Sequence, residues 1–304
     1  MSVSLVADTL NIDSGTRFST FLIHDFPKCL LAELNTHRQL VRNTASTRAI
    51  PNKKYIEKAR EKEYIPTWTR NQPGMVGMED DTLDTSSLTK IWNALFEQAI
   101  STSEYLTYLG AHKQEANRVL DAFIRIPVLL SGTEWENFLK LRTDSSTAPD
   151  FQSIAKEIER SLAYSTPKHL SPGEYHIPFS DKMPKGMDTL TKLKIAVARC
   201  ARISYYNHIG EIDVEKDLAL FQRLLDCSHL SCFEHIAYVA PAGRYGIAYY
   251  TSDRDAEVEP MPNNLTNNFS YLSLDGITPK QHVWTRQYSN FYTLRHIIED
   301  GLFI

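Results

Sequence analysis

The densest run of chemically capable side chains is Asn35–Arg48, which holds His37, Arg38, Arg42, Asn43, Ser46 and Arg48. Three guanidiniums, an imidazole and hydroxyls this close suit an anion, because arginine offers paired donors that match phosphate oxygens. Binding of a phosphate-bearing ligand is the chemistry expected there. The same residues also fit a solvated helix end whose arginines complement the macrodipole. A second run, Glu134–Arg142, sets Asn137 and Arg142 among the core-type residues Phe138, Leu139 and Leu141. A polar residue in such company needs a partner, either in the protein or in a ligand. The third run, His112–Arg118, by itself reads as an exposed helix turn. In the fourth, Cys227, His229, Cys232 and His235 offer zinc-type ligands. Their spacing matches no usual zinc finger, and one short segment would have to wrap all four corners of a tetrahedron, so no metal is expected.

These clusters need elements to position them. Residues 16–24 alternate and are rich in Phe, Thr and Ile, the pattern of a strand with one buried face. From Pro27, the spacing of Leu30, Leu31, Leu34, Leu40 and Val41 predicts a helix ending near Arg42. Asn43–Arg48 then favours a turn. Residues 63–86 have the composition of an ordered surface loop suited to a lid. Apolar spacing from Ser87 to Arg118 fits one long helix, or two joined at Gly110, with its stripe in the core. The apolar run Phe123–Leu130 follows. Further helices are predicted at Thr133–Leu141, Phe151–Ala163, Leu190–Cys200 and Val214–Leu225, a strand over Ile236–Tyr250, and a terminal helix over 284–298. Four prolines between Ser165 and Lys185 exceed what a regular element tolerates. The expected organisation is therefore a half at 1–164, a connector at 165–185 and a half at 186–304, intertwined as one catalytic domain.

Composition narrows the class. With 42% hydrophobic and 23% charged residues in 304, the chain is globular in type and not disordered. Its 33 Lys plus Arg against 37 Asp plus Glu leave a charge of -4, without the basic excess of a dedicated duplex binder. No polymeric nucleic-acid partner is expected. No window reaches the roughly 18 apolar residues of a membrane helix, and the opening residues lack a basic region followed by an apolar one. A cytoplasmic protein is expected, in the host cytoplasm if viral. Four cysteines, Cys29, Cys200, Cys227 and Cys232, are too sparse for a disulfide scaffold. There is no Gly-rich phosphate loop, Gly-x-Ser-x-Gly elbow or His-Glu-x-x-His motif.

Jointly, the clusters resemble the flavin-dependent thymidylate synthases. That family's signature is Arg-His-Arg, followed after seven residues by Ser and two further on by Arg; Thr36-His37-Arg38, Ser46 and Arg48 fall in that register, with Asn43 also matching. Asn137-Phe-Leu-Lys-Leu-Arg142 is similar to the family's Asn-Phe-Leu-x-Leu-Arg. Ala201-Arg-Ile-Ser-Tyr205 and Ser231-Cys-Phe-Glu-His235 resemble segments that precede Arg-His-Arg in the family but follow it here. The order looks circularly permuted, as in a long, divergent branch carrying Asn-Thr-His-Arg, His-Lys-Gln-x-Ala-Asn-Arg and Thr-Glu-Trp-x-Asn-Phe.

The resemblance implies an α+β fold, a mixed sheet flanked by long helices, commonly a homotetramer whose sites are shared between subunits. It implies FAD near His37, Arg38, Asn137, Ser204, His229 and Ser231. The nucleotide, dUMP, would lie against Glu33, Ser46, Arg48, Arg118 and Arg142, with Ser46 and Arg142 the residues expected to act in catalysis. The implied reaction moves a one-carbon unit from methylenetetrahydrofolate to pyrimidine C5, giving dTMP, with NADPH as reductant and no protein nucleophile. Thr36, Val41 and Thr44 depart from the signature's Arg, Ser and acidic residue. Hydroxymethylation of dUMP or dCMP is therefore one alternative, and a non-catalytic nucleotide-binding descendant another.

Overall fold

The computed structural model describes residues 2–73, 77, 82–206, 212–239, 288 and 290–299. A five-stranded mixed sheet forms its centre. Strands β1 (Val3–Asn11), β2 (Arg17–Pro27), β3 (Val41–Thr44), β4 (Arg125–Gly132) and β5 (Lys168–Leu170) lie in the order β3-β4-β2-β1-β5. All neighbours are antiparallel except β1 and β5. Along β2 and β4 alternate residues serve opposite faces. Phe21, Ile23, Val128 and Leu130 enter one core cluster, while Leu22 and Leu129 enter another. The strand expected to bury one face buries both, so helices cover the sheet on each side.

On the first face pack α2 (Asn52–Glu61), α3 (Thr85–Tyr108), α5 (Glu136–Arg142) and α6 (Pro149–Tyr164), through side chains such as Tyr55, Phe96, Phe138 and Phe151. The short α4 (Lys113–Arg118) follows α3. Gly110, at φ +90, supplies the left-handed turn that separates α3 from α4. On the second face lie α7 (Thr189–Arg202) and α8 (Val214–Asp226). They are joined by a smaller antiparallel sheet of β6 (Tyr175–His176), β7 (Ala237–Val239) and β8 (Phe291–Thr293), followed by α9 (Leu294–Glu299). The four-proline segment thus contributes β5 to the large sheet and β6 to the small one.

Three expectations need correction. The helix from Pro27 stops at α1 (Leu31–Leu34) after a 3-10 turn at Lys28–Leu30. Asn35 and Thr36 then turn the chain, and Val41–Thr44 pairs with β4, burying Val41 as a strand residue. The anion-type cluster therefore sits on a turn, an edge strand and the loop after it. The stripe on α3 is only half core: Phe96, Ala99 and Ile100 are buried, whereas Ile91 and Leu95 face solvent. The described part of the expected terminal helix starts only at Leu294, because Phe291–Thr293 joins the small sheet. Residues 240–250 of the expected strand, 284–287 and 289 of the terminal helix, and 74–76 and 78–81 of the loop fall outside the described residues. The described start of that loop is held down, since buried Asp150 accepts bonds from Tyr64 Oη and from the Thr67 backbone N–H and hydroxyl.

Between the two sheets runs a buried chain of polar contacts. Thr9 Oγ1 meets His176 Nδ1 at 2.8 Å, His176 Nε2 meets Thr20 Oγ1 at 2.8 Å, Thr20 meets Ser131 Oγ at 2.7 Å, and Ser131 meets His235 Nδ1 at 2.7 Å. The Thr9 hydroxyl also reaches Phe18 O at 3.3 Å. If Thr9 donates there, one proton assignment satisfies every later link: each ring donates from Nδ1, and Thr20 donates to His176 Nε2. Burial holds both imidazoles neutral, lowering each to about 3.

Candidate active site

The turn after α1 and the start of α5 enclose a cleft of about 370 Å³ lined by Thr36, His37, Arg38, Gln39, Leu40, Glu134, Asn137 and Phe138. Its back wall is fixed by packing. His37 meets the Phe138 ring edge-on at 5.0 Å. Leu40 lies over Gly132, where a Cβ would come within 2.4 Å of Leu40 Cδ2, so glycine is what lets the turn approach β4. The end of α5 carries Arg142 back beneath the turn. Its Nε–H donates to His37 Nε2 at 2.8 Å, and its Nη2 reaches Glu33 O at 3.1 Å and Thr36 Oγ1 at 3.2 Å. Nη1 lies 3.6 Å from the Glu33 carboxylate, and the guanidinium stacks 4.9 Å over Phe151.

This geometry settles the state of His37. Burial, then the charges of Arg142 and Arg42, pull its pKa down to about 4, so the ring is neutral at physiological pH. With Nε2 accepting from Arg142, the single ring proton sits on Nδ1. Among the described residues, that N–H and the side chains of Arg38, Gln39 and Asn137 have no hydrogen-bond partner in the chain. The cleft therefore presents hydrogen-bonding groups of both kinds with one fixed imidazole behind them.

A second constellation follows β3. Asn43 Nδ2 donates to Cys200 O at 3.2 Å and Ser46 N–H donates to Ser204 O at 3.1 Å, tying the loop to the end of α7 and the 3-10 turn Ile203–Tyr205. Arg48 N–H reaches Ser46 Oγ at 3.3 Å, while the Arg48 side chain is exposed. Asn117, with no exposed surface, clamps this loop from α4: its Nδ2 donates to Thr47 O and Ile50 O, each at 2.9 Å. Its Oδ1 accepts from Asn52 Nδ2 at 2.9 Å, which also donates to Ser103 Oγ. Arg118, next to it, is exposed.

The third constellation lies on the 3-10 segment Leu230–His235. His229 and Ser231 are 3.5 Å apart on its exposed side. Glu234 pairs with Arg295 and also feels the charge of Arg42, which couples this segment to β3. The structure thus brings Glu33, His37, Arg38, Asn137 and Arg142 together around the cleft, and Ser46, Arg48 and Ser204 together beyond β3. No described hydrogen bond or ion pair joins Arg48, Arg118, His229 or Ser231 to the cleft group. Among the described residues no group of three or more His, Cys, Asp or Glu could hold a metal, and all four cysteines are free. No helix among them is long and apolar enough to cross a membrane.

Residues 18–168, which carry both the cleft and the clamped loop, match the family model described as thymidylate synthase complementing protein. The chain belongs to this family. Among solved structures, it is similar to the UMP/dUMP methylase PolB from Streptomyces cacaoi bound with 5-Br UMP. The two are 17% identical over 53% of this chain and 88% of that one, with a TM-score of 0.41. It is also similar to the flavin-dependent thymidylate synthase ThyX from Helicobacter pylori complexed with FAD and dUMP, at 16% identity over 48% of this chain and 68% of that one, with a TM-score of 0.34. No curated protein sequence matches the chain.

Set against this family's signature, two features were missed in the sequence. Asn117 lies in a run that reads as a plain exposed helix turn, and only its complete burial reveals the clamp. Thr36, which stands where the family's first Arg is expected, bonds to Arg142, so a guanidinium reaches that position from α5 instead. Polar residues directly before and one turn before a core-facing Phe, Asn137 and Glu134, were the available signal for the cleft wall.

Proposed function

We propose that this family member is a flavin-dependent enzyme that transfers a one-carbon unit to C5 of a deoxypyrimidine monophosphate, dUMP to dTMP above all. The observation that carries the reading is the cleft: His37, Arg38, Gln39 and Asn137 border one space, and among the described residues the His37 Nδ1–H and the other three side chains have no hydrogen-bond partner. A ligand rich in ring carbonyls and nitrogens would satisfy them. The residues present fit part of a flavin, and the cleft is smaller than a whole FAD, which agrees with a site completed by another subunit. His37, Arg38 and Asn137 would hold the flavin at this wall, with Ser204, His229 and Ser231 on the neighbouring segments. Ser46 and Arg48 would hold the nucleotide phosphate, with Arg118 and Glu33 nearby in the reading.

When bound, FAD supplies the redox chemistry that lets methylenetetrahydrofolate deliver carbon without a protein nucleophile, with NADPH as the reductant. What the chain itself contributes is orientation and polarity. Arg142 fixes the tautomer of His37, so that the imidazole offers a donor and no charge to the cleft. Phe138 and Leu40 keep water from its back. Arg142 is therefore assigned a positioning role through His37 as well as the catalytic role implied by the signature, with Ser46 on the nucleotide side.

One experiment tests the reading. Purified protein is incubated with FAD, NADPH, methylenetetrahydrofolate and either dUMP or dCMP, and the nucleotide is weighed by mass spectrometry. Methylated dUMP is expected. A hydroxymethylated product would replace the reaction but keep the site, and Thr36, where the signature has Arg, is the observation that favours testing for it. No product from either nucleotide, together with no FAD uptake in a fluorescence titration, would overturn the proposal in favour of a non-catalytic binder.

A further inference from the structure

The amide of Asn117 does more than hold the loop after β3. Through Thr47 O, Ile50 O and Asn52 Nδ2 it gathers residues 47–52 around one side chain. Cations on either side of that amide are thereby drawn together. Lys113, at the start of α4, extends its Nζ to Ala49 O at 3.4 Å, beside Arg48. Lys53 and Lys54 follow Asn52 in the first turn of α2, and Arg118 leaves the far end of α4. Glu115 lies against His112, and Glu61 pairs with Lys58. Among the described residues, none of the cations Arg48, Lys53, Lys54, Lys113 and Arg118 has a carboxylate partner.

Neither overall charge nor helix stability explains this group. The chain has 37 Asp plus Glu against 33 Lys plus Arg, so a local excess of unpaired cations runs against its composition. The first turn of α2 holds no acidic residue, and lysines there oppose the macrodipole. A ligand accounts for them better. The nucleotide reading places a monophosphate at Ser46, Arg48 and Arg118. Such a group carries a charge of about -2 at most, which two guanidiniums already balance. Lys53, Lys54 and Lys113 are left over, bordering the same loop beyond Arg48. Salt screens an exposed charge beyond about 8 Å, so these lysines act only on an anion long enough to reach them.

We infer, resting on that nucleotide reading, that residues 47–54 and α4 extend the phosphate site into a polyphosphate subsite whose ligand is a deoxypyrimidine nucleoside triphosphate. Its α-phosphate takes the place of the monophosphate at Ser46 and Arg48. The β- and γ-phosphates then meet Lys113 and the lysines of α2, and the triphosphate competes with dUMP. Calorimetry of the full chain, without divalent metal, compares dUMP, dUTP, inorganic tripolyphosphate and penta-γ-glutamate. Binding of dUTP is expected to be at least about tenfold tighter than that of dUMP, and to displace it. K53Q/K54Q and, separately, K113Q should each cut this preference to about threefold or less, with dUMP affinity within about twofold of the parent. Lys113→Arg, which keeps the charge, should retain the preference. Tripolyphosphate should bind the parent and lose affinity in both Gln variants, whereas penta-γ-glutamate should not displace dUTP. Lys53 and Lys54 are exposed, so far-ultraviolet circular dichroism should stay unchanged in their variant. Binding of dUMP with no gain for dUTP, a gain that neither Gln variant reduces, or displacement of dUTP by penta-γ-glutamate would each overturn the inference and leave the proposed function standing. Binding of neither nucleotide would overturn both.

Discussion

The Asn117 clamp yields a test in which the smaller chemical change does the greater damage. Asn117→Asp keeps the size of the side chain and its acceptor toward Asn52, but replaces the group that donates to Thr47 O and Ile50 O. At neutral pH an ionised carboxylate would then face two carbonyl oxygens at a site with no access to water. Asn117→Ala leaves those carbonyls unpaired and takes one acceptor from Asn52 Nδ2, at about 1 to 3 kcal/mol for each buried group, or on the order of 3 kcal/mol in all. The aspartate variant adds repulsion and the desolvation of a charge, so it should be the less stable of the two by at least about 1 kcal/mol. The introduced carboxyl would have its pKa raised in the folded state. Its folded form then binds the extra proton, so the deficit shrinks as pH falls through that raised pKa and grows as pH rises.

Urea denaturation of the parent and both variants at pH 7 and pH 5.5 reads these differences directly. The loop held by Asn117 carries Ser46 and Arg48, whereas the cleft turn at 36–40 receives no bond from it. Calorimetry should therefore find dUMP affinity lowered about tenfold in Asn117→Ala, with FAD affinity nearly unchanged. An aspartate variant as stable as the alanine one at pH 7 would refute the orientation of the amide. Unaltered dUMP binding in a destabilised alanine variant would show that the loop does not hold the nucleotide.

Two further expectations follow from the buried histidines. His176 and His235 are held neutral in the folded chain at about 3, while in the unfolded chain they protonate below about 6.5. Stability from these two groups is thus complete above that value and is lost as pH falls, by about 1.4 kcal/mol per pH unit each, or about 4 kcal/mol together between pH 6.5 and 5. A flat dependence of denaturation free energy over that window would exclude the buried relay. His37 should show, by nitrogen-15 NMR, a neutral Nδ1–H ring at pH 6. Arg142→Gln should move its pKa up from about 4 but short of 6.5, because burial outweighs the guanidinium; no movement would remove Arg142 from contact with the ring.

Where the sequence was legible, one periodicity matched one environment. Helices α6 and α8 each bury one stripe, α7 is buried all round from Ile195 to Ala201, and all three begin close to the expected residues. Gly110 marked the break between α3 and α4 because a left-handed turn there favours glycine. The prediction failed where two environments share a pattern. Leu30, Leu31, Leu34, Leu40 and Val41 fit a helical spacing, but the last two belong to a turn and a strand whose partner, β4, lies some ninety residues on. Strand β1 was not read at all, and its bulge between Leu5 and Ala7 shifts the alternation by which a strand is recognised. On α3, Ile91 and Leu95 sit one residue from Trp92 and Phe96, so two adjacent stripes merge into one in any one-dimensional count.

The site was legible to a different degree for a related reason. Residue types that bind anions are recognisable wherever they fall, so His37, Arg38, Ser46, Arg48, Asn137 and Arg142 could be singled out from register alone. What register does not contain is which of them already have partners. Arg142 is committed to His37, Glu33 and Thr36, whereas Arg38 and Asn137 face open space, although all three look alike as exposed polar residues on helices or turns. That division of labour follows from α5 packing beneath the turn at 36–40. Phe138 and Phe151 bury the stem of the arrangement, so the one guanidinium held over Phe151 is the one positioned to set the tautomer of the imidazole. A substitution at Phe151, which is buried and does not line the cleft, should therefore disturb the protonation state of His37 without removing any group that touches a ligand, a consequence visible only once the packing is known.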